Sequence, residues 1–159
     1  MNPEKIMKHF KMQKHPEGGA FLETYRSQSA QEFIGFNGER SISTNILFLL
    51  QKGEISAFHR IKSDETWSYH LGDQLEVIEI DLMGKLIRTV IGSDFLNGDK
   101  LQYTVAAGHW FASHTLGDYS LVGCSVSPGF DFRDFELANR KNLIQEFKNH
   151  AEIIGKFTY

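Results

Sequence analysis

The chain has 159 residues, of which 41% are hydrophobic and 13% aromatic, and 17 basic against 20 acidic residues give a formal net charge of −3. That length predicts a single domain over residues 1–159 with enough apolar content for a packed core. With no basic stripe to neutralise phosphates, nucleic acid is excluded as an expected partner; the longest apolar run, Ile46 to Leu50, falls far short of the ~20 residues that cross a bilayer, which excludes a membrane-spanning chain.

Asn2-Pro3-Glu4 reads as a helix start, with Asn as cap, Pro in the first turn and an acid beside it. The helix runs to about Lys11, and His15-Pro-Glu-Gly-Gly19 ends it as a turn in which Gly18 and Gly19 supply positive φ. Residues 21–26 alternate as a strand, and the polar, glycine-punctuated segment 28–39 reads as a loop or flap. Between Ile42 and Val126 the pattern predicts strands near 42–50, 55–61, 65–71, 74–81, 85–91, 101–105, 109–114 and 119–126. Short strands at this spacing, with glycine- and aspartate-rich turns between them, are the pattern of a sandwich or barrel. Leu137 to His150 reads as a C-terminal helix. The lone Cys124 permits no internal disulfide, and the N-terminus lacks the apolar core of a signal peptide, so the expected compartment is the cytoplasm.

Gly53, five residues, His59, then Glu65 and Gly72 have the spacing of a β-barrel metal-site motif, yet Ile61 stands where a second imidazole belongs. On a strand, His59 and Ile61 share one face. On the next strand Glu65, Trp67 and Tyr69 share a face, which predicts a cavity holding His59 and Glu65 with Trp67 and Tyr69 as its aromatic wall. Blander readings stand beside these: His59 as an interior histidine, Glu65 salt-bridged to Arg60 or Arg26, Trp67 and Tyr69 as core, Cys124 as a small buried hydrophobe. Glu23 and Arg26 lie within reach of the cavity, and Phe130, in Pro128-Gly-Phe-Asp-Phe132, is placed to shape its mouth. An apolar outward sheet face carrying Phe58 and Ile78 predicts burial against a second subunit, hence a homodimer, and His70 is expected to face outward too.

These residues resemble the cupin superfamily, whose first motif is matched at Gly53, His59, Glu65 and Gly72 and broken at Ile61. Its second motif falls at Ala106-Ala107-Gly108 and puts Phe111 where a histidine is expected. Two of four ligand positions remain, so no metal and no other cofactor is expected; a rearranged set of His59, Glu65 and His109 is the alternative. The strings His15 to Ser27, Phe58-His-Arg60, Asp64-Glu-Thr-Trp67 and Leu121 to Phe132 are together similar to the DUF985 (Cupin_5) family. That resemblance implies an all-β fold, a double-stranded β-helix or jelly-roll barrel with short N- and C-terminal helices, dimeric and related to dTDP-sugar 3,5-epimerases. Those epimerases use a histidine base at the position of His59 and a tyrosine acid on a late strand. The matching position falls near Cys124, with Tyr119 as a stand-in at the strand start.

Three readings of function follow. The first is a metal-independent isomerase or epimerase of a sugar derivative or other small polar metabolite. It would use His59 as base, Glu65 to orient it or relay its proton, and Trp67, Tyr69, Glu23, Arg26, Tyr119, Phe111 and Phe130 around the ligand. The second is a non-catalytic binding or sensing module built on the same pocket. The third is a metal-dependent cupin with a rearranged ligand set.

Overall fold

The turn signals of the sequence divide the chain into strands of two to nine residues, and the structure, a computed structural model, describes residues 2–159. Helix α1 (Pro3–Phe10) starts as expected: the Asn2 side chain accepts the backbone N–H of Glu4 at 2.8 Å, and Pro3 occupies the first turn. Strands β1 (Gln13–Lys14) and β2 (Ala20–Arg26) flank the His15–Gly19 turn. Strands β3 (Ala30–Glu32) and β4 (Glu39–Ser41) pair with each other, so the segment expected as loop contains a small ribbon.

There follow β5 (Thr44–Gln51), β6 (Ser56–Arg60), β7 (Asp64–Gly72), β8 (Leu75–Ile80), β9 (Leu86–Ile91), β10 (Gln102–Val105), β11 (Trp110–Thr115) and β12 (Tyr119–Ser127). These are the eight strands expected from the sequence, with ends moved by two residues at most. The chain closes with β13 (Glu136–Leu137), α2 (Arg140–Glu146) and α3 (Ala151–Lys156). The single helix expected over 137–150 is therefore two, separated by a turn of 3-10 helix at Lys148–His150. The break is at Phe147, whose φ of −122° and ψ of 64° cannot continue a helix.

Two sheets form the barrel, one in the order β1-β2-β5-β12-β7-β10 and the other in the order β13-β6-β11-β8-β9, with every ladder antiparallel. Alternation decides which side chains fill the lumen. Leu75 and Val77 of β8 join Phe48, Trp67, Phe111 and Val122 inside, whereas Ile78 and Ile80 point the other way. Outside, Phe58, Ile78 and Ile80 pack beneath Leu143, Ile154 and Phe157 of the C-terminal segment. The apolar face expected to meet a second subunit is thus covered by the chain's own helices. His70 is exposed, as expected, and lies over Gly123. Leu47, Leu49 and Leu121 are capped by α1.

Among the described residues, no helix is long and apolar enough to cross a membrane. The β3–β4 ribbon is fixed to the chain beyond the barrel by Arg40, which grips Asp134 with two nitrogens at 2.6 and 3.0 Å. That junction places Phe130, Phe132 and Phe135 over one end of the lumen.

Candidate active site

One end of the barrel holds a cavity of about 280 Å³. Its wall includes His59 and Glu65, which the alternation of β6 and β7 had placed on inward faces. Glu23, Arg26 and Phe130 also line it, as expected. Half of the remaining wall is apolar: Phe21, Ile46, Phe48, Val126 and Phe132.

The central polar group is one that sequence reasoning missed. Glu17 enters the cavity from the His15–Gly19 turn and is 6% exposed. The turn needs glycine at its end: Gly18 has φ of 110°, and a Cβ there would lie 2.0 Å from the Ile55 carbonyl oxygen. The Glu17 carbonyl accepts the N–H of Ala57 at 2.8 Å and the hydroxyl of Tyr159 at 3.1 Å, which pins the backbone. Its carboxyl Oε1 accepts the Ser56 hydroxyl at 2.8 Å. Its Oε2 lies 3.2 Å from Nδ1 of His15 and 3.1 Å from Nε2 of His59.

His59 is 2% exposed, and its Nδ1 donates to the Ala57 carbonyl at 2.8 Å. Because a carbonyl only accepts, that nitrogen carries a proton. The contact between Nε2 and Glu17 is then attractive only with a proton between them. Burial lowers the His59 imidazole despite the opposing charge of Glu17. For Glu17, burial works upward but is outweighed by the charge of His59, the hydrogen bond and charge of His15 and the Ser56 hydroxyl, so its carboxyl sits below the ordinary range. Glu17 sets the state of the pair, because it has three partners. Its surroundings favour the ionised form, while burial weakens the hold of His59 on a proton facing it.

Glu65 is in the opposite condition. It is 7% exposed and, among the described residues, makes no ion pair with any group; Arg60 pairs with Glu136 and Arg26 with Glu23. Burial, with the Glu17 charge nearby, pushes its carboxyl up to about 8 despite a hydrogen bond with the Cys124 thiol. Near neutral pH it is an un-ionised acid that can donate a proton. The expected relation between His59 and Glu65 therefore needs correction: the carboxylate that meets His59 is Glu17. Cys124 lines the cavity, but burial and the two carboxyls push its thiol well above the usual range, consistent with an inert thiol.

Four residues expected around the ligand lie elsewhere. Trp67 does face inward with Glu65, yet it sits one layer deeper, in ladder register between Cys124 and Tyr103, and is 1% exposed core. Tyr69, a further layer along, donates its hydroxyl to the Gly72 carbonyl at 2.6 Å. Phe111 backs the site from within the core, its ring 4.1 Å from that of His59. Tyr119 packs under α1 with Ile6, Leu49 and Leu121, on the outer side of the sheet. Face alternation was right for Trp67 and Tyr69; depth along the barrel was not legible from it.

The donors present do not fit a cupin metal. Ile61 is buried and has no ligating atom, and Phe111 fills the position of the second-motif histidine. His109, the alternative ligand, meets Glu79 in a separate cluster outside the cavity wall. Of the two matched ligand positions, His59 turns its Nε2 to Glu17 at 3.1 Å, so that nitrogen already faces a protein partner. Among the described residues no three His, Cys, Asp or Glu side chains are placed to hold a metal ion.

Comparisons with known proteins bear on this geometry. The profile of the Cupin superfamily (DUF985) family, Cupin_5, matches residues 4–138. A Shewanella oneidensis protein of known structure is 36% identical, with TM-score 0.92, over 100% of this chain and 98% of its own. A hypothetical protein from Leishmania major is 35% identical, with TM-score 0.94, over 100% and 99%. A dTDP sugar isomerase from Desulfovibrio desulfuricans shares the fold at 12% identity and TM-score 0.55, over 75% of this chain and 83% of its own. No curated protein matches the chain. With a family match over most of its length and a jelly-roll barrel around the cavity, the chain belongs to the Cupin_5 (DUF985) family of the cupin superfamily.

Proposed function

We propose that the cavity is the site of an acid–base enzyme that isomerises or epimerises a small polar metabolite of the hydroxy-carbonyl class. The observation that carries this reading is a pair of buried carboxyl groups in one cavity with opposite surroundings: Glu17 meets His59, His15 and the Ser56 hydroxyl, which favour its ionised form, and Glu65 has no counter-charge, so burial favours its neutral form. Two titratable groups pushed apart by their surroundings are the usual means of keeping an acid and a base side by side at neutral pH.

In the step proposed, the Glu17 carboxylate, steadied by His59, takes a proton from the carbon next to the ligand's carbonyl. The C–H electron pair becomes a C=C bond, and the carbonyl π electrons take the proton of Glu65 to give an enediol. Return of that proton to the former carbonyl carbon, with the other enediol hydroxyl giving its proton to Glu65, completes an isomerisation; in an epimerisation the original hydroxyl returns its proton to Glu65, water supplies the proton to the opposite face and the base gives its own to solvent. The low polarity of the surrounding Phe21, Phe48, Phe130 and Phe132 strengthens these interactions. The dTDP sugar isomerase among the fold neighbours is consistent with this class of chemistry, though at 12% identity it speaks to the fold alone.

A second reading, a binding or sensing module, is favoured by one observation: both ring nitrogens of His59 already face protein partners. Proton NMR in D2O separates the two. Over a panel of hydroxy-carbonyl compounds, free and phosphorylated, the enzyme reading predicts solvent deuterium entering the α-carbon position of at least one. That exchange is expected to fall by about 10²–10⁴-fold in Glu65→Gln. Stoichiometric binding with no exchange by the wild-type protein would establish the binding module instead.

A further inference from the structure

The arginine in the cavity wall, and two more in the segments behind it, already hold protein carboxylates. Arg26 gives Nε and one terminal nitrogen to Glu23 at 2.9 and 2.7 Å, and its other terminal nitrogen to the Phe130 carbonyl at 3.1 Å. Arg133 grips Asp131 in the same two-pronged way at 2.9 and 2.8 Å and reaches the Asn37 carbonyl with its remaining nitrogen. Arg40 does so with Asp134 and gives its last nitrogen to the carbonyls of Asn37, Gly38 and Glu39. A guanidinium binds phosphate or carboxylate through such paired N–H groups, and here each pair already holds a protein carboxylate. Within the cavity, Glu17 meets His15 and His59, and among the described residues Glu65 makes no ion pair.

A ligand bearing a negative charge would therefore have to displace Glu23 from Arg26 at the rim or else lie among apolar side chains without an opposite charge, and the second is unfavourable. Volume adds a second limit. At about 280 Å³ the cavity lies at the small end of ligand sites, which span roughly 300–1,000 Å³, so it has room for one ring but not for a nucleotide joined to a sugar. Phe21, Phe48, Phe130 and Phe132 offer apolar surface for a ring face, and the Glu65 O–H offers a hydrogen bond to an oxygen.

We propose that this cavity takes an uncharged, single-ring-sized molecule whose oxygen accepts a hydrogen bond from Glu65, and rejects its phosphorylated or carboxylated counterparts. The proposal deepens the acid–base reading of the same site and rests on Glu65 being a donor there. It also separates this cavity from nucleotide-sugar sites on the same fold.

The test uses the full chain and two probes of the same shape, benzamide and benzoate, titrated at neutral pH and followed by chemical-shift perturbation of the cavity residues. Benzamide is expected to bind at least about tenfold more tightly than benzoate, a difference of about 1.4 kcal/mol. In Glu23→Gln, which frees Arg26 of its partner, benzoate is expected to gain several-fold while benzamide changes little. Equal or tighter binding of benzoate by the wild-type protein overturns the proposal, and so does failure of both probes to perturb the cavity. The outcome is independent of turnover: an enzyme that exchanges a phosphorylated compound keeps the acid–base reading and loses this one, whereas preference for benzamide with no exchange on any compound does the reverse.

Discussion

Two groups of buried polar residues lie inside this barrel, one lining the cavity and the other packed against Phe111 and Trp67. At one end, Glu17 and Glu65 face open space in opposite ionisation states. On the other side of Phe111 and Trp67, Glu79 is equally buried at 2% exposure, but both its oxygens have donors, Nδ1 of His109 and the hydroxyl of Tyr103. Burial, the hydrogen bond to Glu79 and its charge push the Tyr103 phenol up to about 12, which holds its proton firmly in that bond. In the Glu79 cluster both carboxyl oxygens and the Tyr103 hydroxyl are paired within the protein. The Glu65 carboxyl is incomplete, which makes it useful. Burial of a carboxyl is thus shared by a structural and a chemical site; adjoining space and a missing counter-charge tell them apart.

Substitutions break this contrast in opposite directions. The largest expected effect is on turnover: Glu65→Gln and Glu17→Gln each lower solvent exchange on an accepted compound by about 10²–10⁴-fold, equivalent to about 3–5 kcal/mol, while Glu79→Gln at comparable burial changes it far less. The next is on stability. Glu79→Ala strands the Tyr103 hydroxyl and His109 Nδ1 and should lower the free energy of unfolding by on the order of 3 kcal/mol in urea titrations.

Glu65→Gln should do the reverse. The folded-state value of Glu65, about 8, lies above its unfolded value, so between roughly pH 4.5 and 8 the folded chain holds a proton that the unfolded chain releases. Stability from this group is full below that window and declines as pH rises through it. Removing the carboxyl is therefore expected to stabilise by about 1–3 kcal/mol at pH 8 and by almost nothing at pH 4.5, read as the difference between unfolding curves at the two pH values. The smallest effect is at the rim: Glu23→Gln breaks a half-exposed ion pair and should move stability by less than about 0.5 kcal/mol.

Much of this architecture is legible in the chain because period-two alternation and turn residues are local signals. They place His59 and Glu65 on inward faces and locate the strands between 42 and 126. They say nothing about how deep along the barrel a residue lies, so alternation alone puts Trp67 and Tyr69 in a wall that they lie beneath. Tyr119 was misplaced for another reason: it stands on the outward-facing register of β12, beneath a helix whose docking position no local pattern encodes. Glu17 was hidden because His15-Pro-Glu-Gly-Gly reads first as a turn, and the residue separation of 42 between Glu17 and His59 gives no periodic cue. The available hint was a histidine and a glutamate two apart, immediately before a glycine pair. Such a turn can hold polar side chains against a distant strand. The C-terminal helices similarly concealed that Phe58 and Ile78 are covered from within the chain.

The claim on which the account stands is that two carboxyl groups share one cavity in different ionisation states. Carboxyl carbon NMR of protein labelled at glutamate, assigned with Glu17→Gln and Glu65→Gln, measures this directly. The account predicts one resonance, lost in Glu65→Gln, that titrates near pH 8, and another, lost in Glu17→Gln, that stays ionised below the ordinary carboxylate range. Both resonances titrating together near pH 4–5, at the values of free glutamate, would contradict it.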